Sequence, residues 1–191
     1  MSSRITGALK CQIDDSILLL VDIQTRLGDA MPGKVLNRVL QNSALLAASA
    51  GLLDVPVLLT QQAAEDLGET HAMVAQSLPP STQTFGKTAF SCMGAEGFPA
   101  AIGAFNRRHV VLAGMESHIS VLQTALDLVA TGAEVFVVED AICSRRLENY
   151  QNALDRMRSS QINVVSAESV VFEWLGDASH PHCNTIQQWL R

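Results

Sequence analysis

No run of apolar residues in this chain approaches the roughly 18 to 20 needed to cross a bilayer. The first fifteen residues, MSSRITGALKCQIDD, also lack the apolar core of a signal peptide. The expectation is therefore a cytoplasmic protein with no membrane partner. Charge is sparse as well: Asp, Glu, Lys and Arg make up 17% of residues, and thirteen Lys and Arg against nineteen Asp and Glu leave a net charge of −6. The basic residues are scattered rather than striped, which argues against a nucleic-acid partner because no basic face is there to meet a phosphate backbone. So little charge beside 48% hydrophobic residues also excludes a disordered chain or a coiled coil. The four cysteines, Cys11, Cys92, Cys143 and Cys183, form no C-x-x-C pair, so neither a zinc ribbon nor a redox dithiol is signalled. They read as free thiols acting as small buried hydrophobes. Gly-x-Ser-x-Gly is missing too, and there is no repeat or low-complexity tract.

What is present suits one domain spanning residues 1–191, long enough to bury about 70% of its unfolded surface. Short β-rich runs near residues 16–23, 55–60, 83–86, 109–113, 134–138 and 162–166 alternate with helical patterns near 34–50, 97–106, 117–131, 149–160, 169–175 and 182–190. That alternation is the mark of βαβ units and a parallel α/β sheet. Gly51 and Gly132 read as residues that close long helices. Residues 61–82 read as a long excursion with a short helix.

A doubly wound sheet of order 3-2-1-4-5-6 leaves a crevice where the first and fourth strands diverge, at their C-terminal ends. Asp22 ends the first apolar run, ILLLVDI, and the turn GMESHIS follows the fourth. Lys87, in TFGKTAF, can reach the same rim. Taken singly, Asp22 reads as a turn or cap residue, Lys87 as a solvated lysine, and Ser117 and Ser120 as helix N-terminal caps; their joint order points to a hydrolase site.

The blocks LLLVDIQ, FGKTAFSC and GMESHISVLQTALDLVATGAEVFVVEDAICSR together resemble the isochorismatase-like (cysteine hydrolase) superfamily, which includes isochorismatases, nicotinamidases and N-carbamoylsarcosine amidase. The tail ESVVFEWLGDASHP is most similar to the smaller isochorismatase-domain proteins of unassigned substrate. The resemblance implies a three-layer αβα sandwich and an Asp-Lys-Cys triad. Asp22 then matches the general base, Lys87 its lysine partner, and Ser120 stands where the family has its cysteine. The backbone N–H groups of Glu116 and Ser120 match an oxyanion-binding pair, and the family's cis peptide falls at Met115–Glu116. Gln24, Phe90, Ser117 and His118 are the expected pocket residues, with Phe90 and Trp174 as candidates for an apolar pocket or interface. The resemblance also implies a homo-oligomer, a small-molecule substrate and no cofactor. Nicotinamidase-like relatives hold a metal after the second strand; here that region reads LLTQQAAEDLGETH, and Gln61, Gln62 and a distant His71 do not assemble a zinc site, so no metal is expected.

Ser120 decides how much mechanism carries over. A thiol near a cation or helix N-terminus can become a thiolate at neutral pH, whereas a serine hydroxyl needs a base to take its proton during attack. Three explanations fit: an engineered Cys-to-Ser change, a natural serine variant of reduced amidase power, or chemistry without a covalent nucleophile. Vinyl-ether hydrolysis is of the third kind, needing proton delivery to carbon and attack by water, with Asp22 as acid and Arg145 and Arg146 as the nearest candidates for a substrate carboxylate. A catalytically lapsed binding or assembly protein, and Cys92 as a displaced nucleophile, are the remaining alternatives.

Overall fold

The computed structural model describes residues 10–190. Among them six strands, β1 (Ser16–Val21), β2 (Val57–Gln62), β3 (Gln83–Lys87), β4 (His109–Met115), β5 (Glu134–Cys143) and β6 (Asn163–Val165), form one parallel sheet in the order β3-β2-β1-β4-β5-β6. This is the expected α/β fold with the expected strand order. β1 is paired with β4 over its full length, from Ser16 opposite His109 to Val21 opposite Gly114.

The central strands are apolar on both faces, as buried parallel strands must be. Alternate residues divide between two cores. Leu18, Leu20, Leu59, Val111 and Phe136 face α2 (Gly33–Leu52), α8 (Ala167–Leu175) and α9 (Cys183–Trp189). Ile17, Leu19, Leu58, Val110 and Leu112 face α5 (Phe98–Ala104), α6 (Leu122–Thr131) and α7 (Leu147–Ser159). Helices on both faces make the three-layer sandwich.

The structure moves several boundaries. Residues 138–141 carry the polar pair Glu139 and Asp140, which ends the apolar run and so suggests a strand end at Val138. They instead form a bulge: Leu112 pairs with Val137 and Gly114 with Ile142, and the strand resumes to Cys143. The bulge is held because Asp140 accepts from Ala167 N through Oδ1 (2.8 Å) and from Asn42 Nδ2 through its carbonyl (2.9 Å). Gly51 does not close α2. The helix runs one residue beyond it, Asp54 takes the left-handed conformation at φ 56°, and Val55 N donates to Ala50 O at 2.9 Å. Gly132, at φ 96°, does close α6, where Ala133 N reaches Leu128 O. The helix expected from residue 117 begins with a π turn over Ser117–Val121 before becoming α6. The excursion after β2 holds two short helical turns, α3 (Ala64–Leu67) and α4 (Ala72–Ala75), and a further short helix, α1 (Thr25–Asp29), follows β1.

Candidate active site

Asp22 follows the last residue of β1, where Asp22 N still donates to Thr60 O on β2. Its φ of 51° turns the chain out of the strand. β4 comes close here because Gly114, at φ 133°, has no side chain: a Cβ at that position would lie 2.0 Å from Val21 O. The next peptide, Met115–Glu116, is cis, and the π turn carrying Ser117 to Ser120 follows directly.

Lys87, the last residue of β3, meets Asp22 at 2.6 Å from Nζ to Oδ2, with neither side chain exposed. Thr60 Oγ1 donates to the other carboxylate oxygen at 2.8 Å. The ammonium also donates to the carbonyls of Ala89 (3.2 Å) and Phe90 (3.0 Å) and to Gln62 Oε1 (3.4 Å). Ser120, itself buried, donates from Oγ to that same Gln62 Oε1 at 3.3 Å. The three groups expected to converge do gather at one sheet rim. Asp22 and Lys87 touch directly; Ser120 joins them through Gln62.

The other expected pocket residues part company. Gln24 is fully buried and does not present its amide to a ligand: Nε2 donates to the carbonyls of Gln62 (3.1 Å) and Gly68 (2.7 Å), and Oε1 accepts from Gln62 N (2.9 Å). It pins the backbone of Gln62. His118 turns toward α7, with Nδ1 2.9 Å from Ser144 Oγ and Nε2 3.2 Å from Asn149 Nδ2. Ser117 Oγ is buried without a hydrogen-bond partner among the described residues. Phe90 is exposed at the rim, its carbonyl facing Lys87. Trp174 lies elsewhere: it is buried at the opposite end of the sheet, where Nε1 donates to Ser16 Oγ at 3.0 Å, because α8 packs back over the start of β1. Arg145 is already paired with Glu116, whose carboxylate takes Arg145 N (2.9 Å) and Nε (3.1 Å). Arg146 is an exposed residue preceding α7.

Cys92 sits behind the ion pair, with Sγ 3.5 Å from Thr60 Oγ1 and its backbone N–H on Thr124 Oγ1. Burial pushes its thiol above the ordinary range, and the hydrogen bonds from Thr124 and Thr60 only partly offset that. Such a thiol is a poor nucleophile. Thr60 was not singled out from the sequence, and Gln62 was weighed only as an unsuitable metal ligand. The available signal was that β2, VLLTQQ, turns polar at the same rim where β1 ends in Asp22. A cavity of about 890 Å³ lies between α2, α4 and α9, lined by Gln41, Leu45, Met73 and Trp189 among others, and none of Asp22, Gln62, Lys87 or Ser120 borders it.

A parallel sheet of this order with an acid and an ammonium paired at the C-terminal ends of its first and third strands defines a doubly wound α/β protein with a buried ion pair at its ligand-binding rim. The Isochorismatase domain family matches residues 16–169, and the chain belongs to that family, a group of hydrolases, with its own substrate unassigned. The secreted isochorismatase effector Isc1 of Phytophthora sojae is 33% identical over 181 residues, covering 92% of this chain and 84% of that protein. Isochorismatase domain-containing protein 2A of Mus musculus is 35% identical over 183 residues, covering 93% and 84%. Among solved structures, the MAR1 ribonuclease of Caenorhabditis elegans superposes with a TM-score of 0.86 at 28% identity, covering 94% of this chain and 91% of that one. The YcaC gene product of Escherichia coli, described as an octameric hydrolase of unknown specificity, gives 0.86 at 23% identity, covering 96% and 92%, a likeness of fold.

Proposed function

We propose that this chain is a small-molecule hydrolase acting on an amide or vinyl-ether bond, with Asp22, Lys87 and Ser120 as its reacting groups. The observation that carries the reading is the fully buried ion pair of Asp22 and Lys87 at 2.6 Å, linked to Ser120 by a shared contact on Gln62. Two buried opposite charges are costly to desolvate and are retained where they serve chemistry or specificity. In this reading Lys87 and Thr60 hold the Asp22 carboxylate in one orientation, from which it moves a proton to or from the substrate. In an amide reaction Ser120 must release Gln62 and lose its proton to Asp22 as it attacks. In a vinyl-ether reaction Ser120 only orients the substrate, and water adds at the carbon.

The same reading takes the chain as one cytoplasmic hydrolase domain that assembles into a homo-oligomer and binds neither nucleic acid nor membrane. The net charge of −6 supports the exclusion of nucleic acid. A second reading, a lapsed family member that binds without turning over, is favoured by one contact: Ser120 donates to a neutral amide oxygen, which cannot take its proton.

The test is hydrolysis of a panel of small carboxamides, followed by ammonia release, and of vinyl ethers, followed by loss of the enol-ether chromophore. The hydrolase reading expects turnover that falls by about 10²- to 10⁴-fold in Asp22→Asn, and amidase activity that rises in Ser120→Cys. Absence of turnover in both the parent and Ser120→Cys across the panel overturns it in favour of the binding protein.

A further inference from the structure

Among the described residues, Gln62 is the one side chain hydrogen-bonded to both the Lys87 ammonium and the Ser120 hydroxyl, and its amide has a defined orientation. A lysine ammonium has only donors; Asp22, Phe90 and Ala89 take them at 2.6 to 3.2 Å, and charge favours the carbonyl oxygen over the NH₂ as the end of the Gln62 amide that faces Nζ at 3.4 Å. The same oxygen accepts from Ser120 at 3.3 Å. With Oε1 held twice, the planar amide points Nε2 away from both groups, and no hydrogen bond from Nε2 is found among the described residues. Nor can the residue drift. Gln24 grips its backbone at both N–H and carbonyl, and Gln62 is in register with Lys87 across the β2–β3 pair. Gln62 is only half-buried, so its free donor is open to a small molecule.

Charge around the site is balanced. Asp22 neutralises Lys87 at 2.6 Å, and Glu116 holds Arg145 at 3.1 Å. A substrate carboxylate entering beside Ser120 would have to compete with Asp22 for Lys87 or with Glu116 for Arg145, and would meet the Asp22 charge. An uncharged oxygen acceptor meets a waiting N–H.

We propose that Gln62 is the substrate-positioning residue of this site: its Nε2 donates to an acceptor oxygen on an uncharged carboxamide-like substrate, while its Oε1 holds Lys87 and Ser120. This rests on the hydrolase reading for its site but is tested by binding, which needs no turnover.

The probe is butanamide, with butanoate as its charged counterpart, titrated into uniformly ¹⁵N-labelled protein. The Gln62 side-chain NH₂ pair is assigned by its disappearance in Gln62→Met. The expected result is a saturable shift of that pair with butanamide and not with butanoate, and about a tenfold weaker affinity for butanamide in Gln62→Met, the loss of one hydrogen bond. Gln62→Glu retains an acceptor for Lys87 and Ser120 but loses the donor. Its affinity should be weakened at pH 8 and recover as the pH is lowered and the new carboxyl regains a proton, while the parent stays flat. Saturable binding that leaves the Gln62 pair unmoved, equal affinity in Gln62→Met, preference for butanoate, or no binding of butanamide each overturns the proposal. Binding as expected without turnover of any substrate overturns the hydrolase reading alone.

Discussion

Lys87 and Asp22 have no solvent contact through their side chains, so each depends on the other for its charge to be tolerated. Removing one partner of a buried pair leaves an uncompensated ion, at a cost of about 3 to 5 kcal/mol. Lys87→Met is therefore expected to lose about that much stability in urea denaturation. The double variant Asp22→Leu with Lys87→Met should recover most of it, since the two effects are coupled rather than additive. Cys92 gives the opposite kind of expectation. With its thiol buried and held above the ordinary range, iodoacetamide at pH 7 should leave Cys92 unmodified in the native protein by peptide mapping, and Cys92→Ala should retain hydrolysis. Selective labelling there would instead revive it as a nucleophile. At this scale Asp22, Lys87 and Ser120 were legible only together, through the order of the three blocks that carry them and the family resemblance of those blocks, since each taken singly reads as a turn, solvated or capping residue. Gln62 was not. A glutamine acquires its role only from the rotamer and from neighbours on β3 and beyond β4, and neither is written in the local sequence.

Strands and turns set where those side chains can go. The approach of β4 to β1 at Gly114 is the tightest of these constraints: a methyl group there would overlap Val21 O, in a backbone conformation that L-residues rarely adopt. Gly114→Ala is expected to destabilise the protein by more than about 3 kcal/mol or to prevent folding. Stability close to the parent's in denaturant would mean that the two strands can separate at the site without penalty. The apolar runs alternating with helical patterns located all six strands, and the order taken for a doubly wound sheet is the one found. They failed at Glu139 and Asp140, because a bulge satisfied by α2 and α8 looks locally like the end of a strand. They failed again at Gly51, because Asp54 takes the left-handed position that a glycine usually fills.

Across the whole molecule, the rim that holds the active site has a counterpart at the other end of the sheet, where residues 11–16 are tied down. His109, at the start of β4, accepts Gln12 N–H on Nδ1 at 3.0 Å, a bond only the uncharged ring can accept. Burial holds its imidazole below the ordinary histidine range, against an upward pull from Asp15. The unfolded chain therefore takes up this proton first as pH falls. Stability should be fully present above the ordinary histidine value of about 6.5 and decline as pH drops below it, by at most about 1.4 kcal/mol per pH unit. Urea midpoints between pH 7.5 and 5 test this, and His109→Asn, whose side-chain oxygen can still accept from Gln12, should flatten the decline. Asp15 acts lower. Burial raises its carboxyl, but hydrogen bonds from Arg108 and that residue's charge outweigh it, so the net shift is downward and its contribution is lost only in stronger acid. Nothing in the sequence pattern pointed to this end of the sheet, because its contacts join residues about a hundred or more positions apart.

The indole of Trp174, enclosed and bonded to Ser16, and that of Trp189, about half open to water, make natural optical reporters of two different regions. In Trp189→Phe the remaining emission would come from one fluorophore in a dry setting, and it should be blue-shifted relative to the parent. A red shift in that variant at denaturant concentrations too low to unfold the sheet would register release of α8 from β1 before global melting.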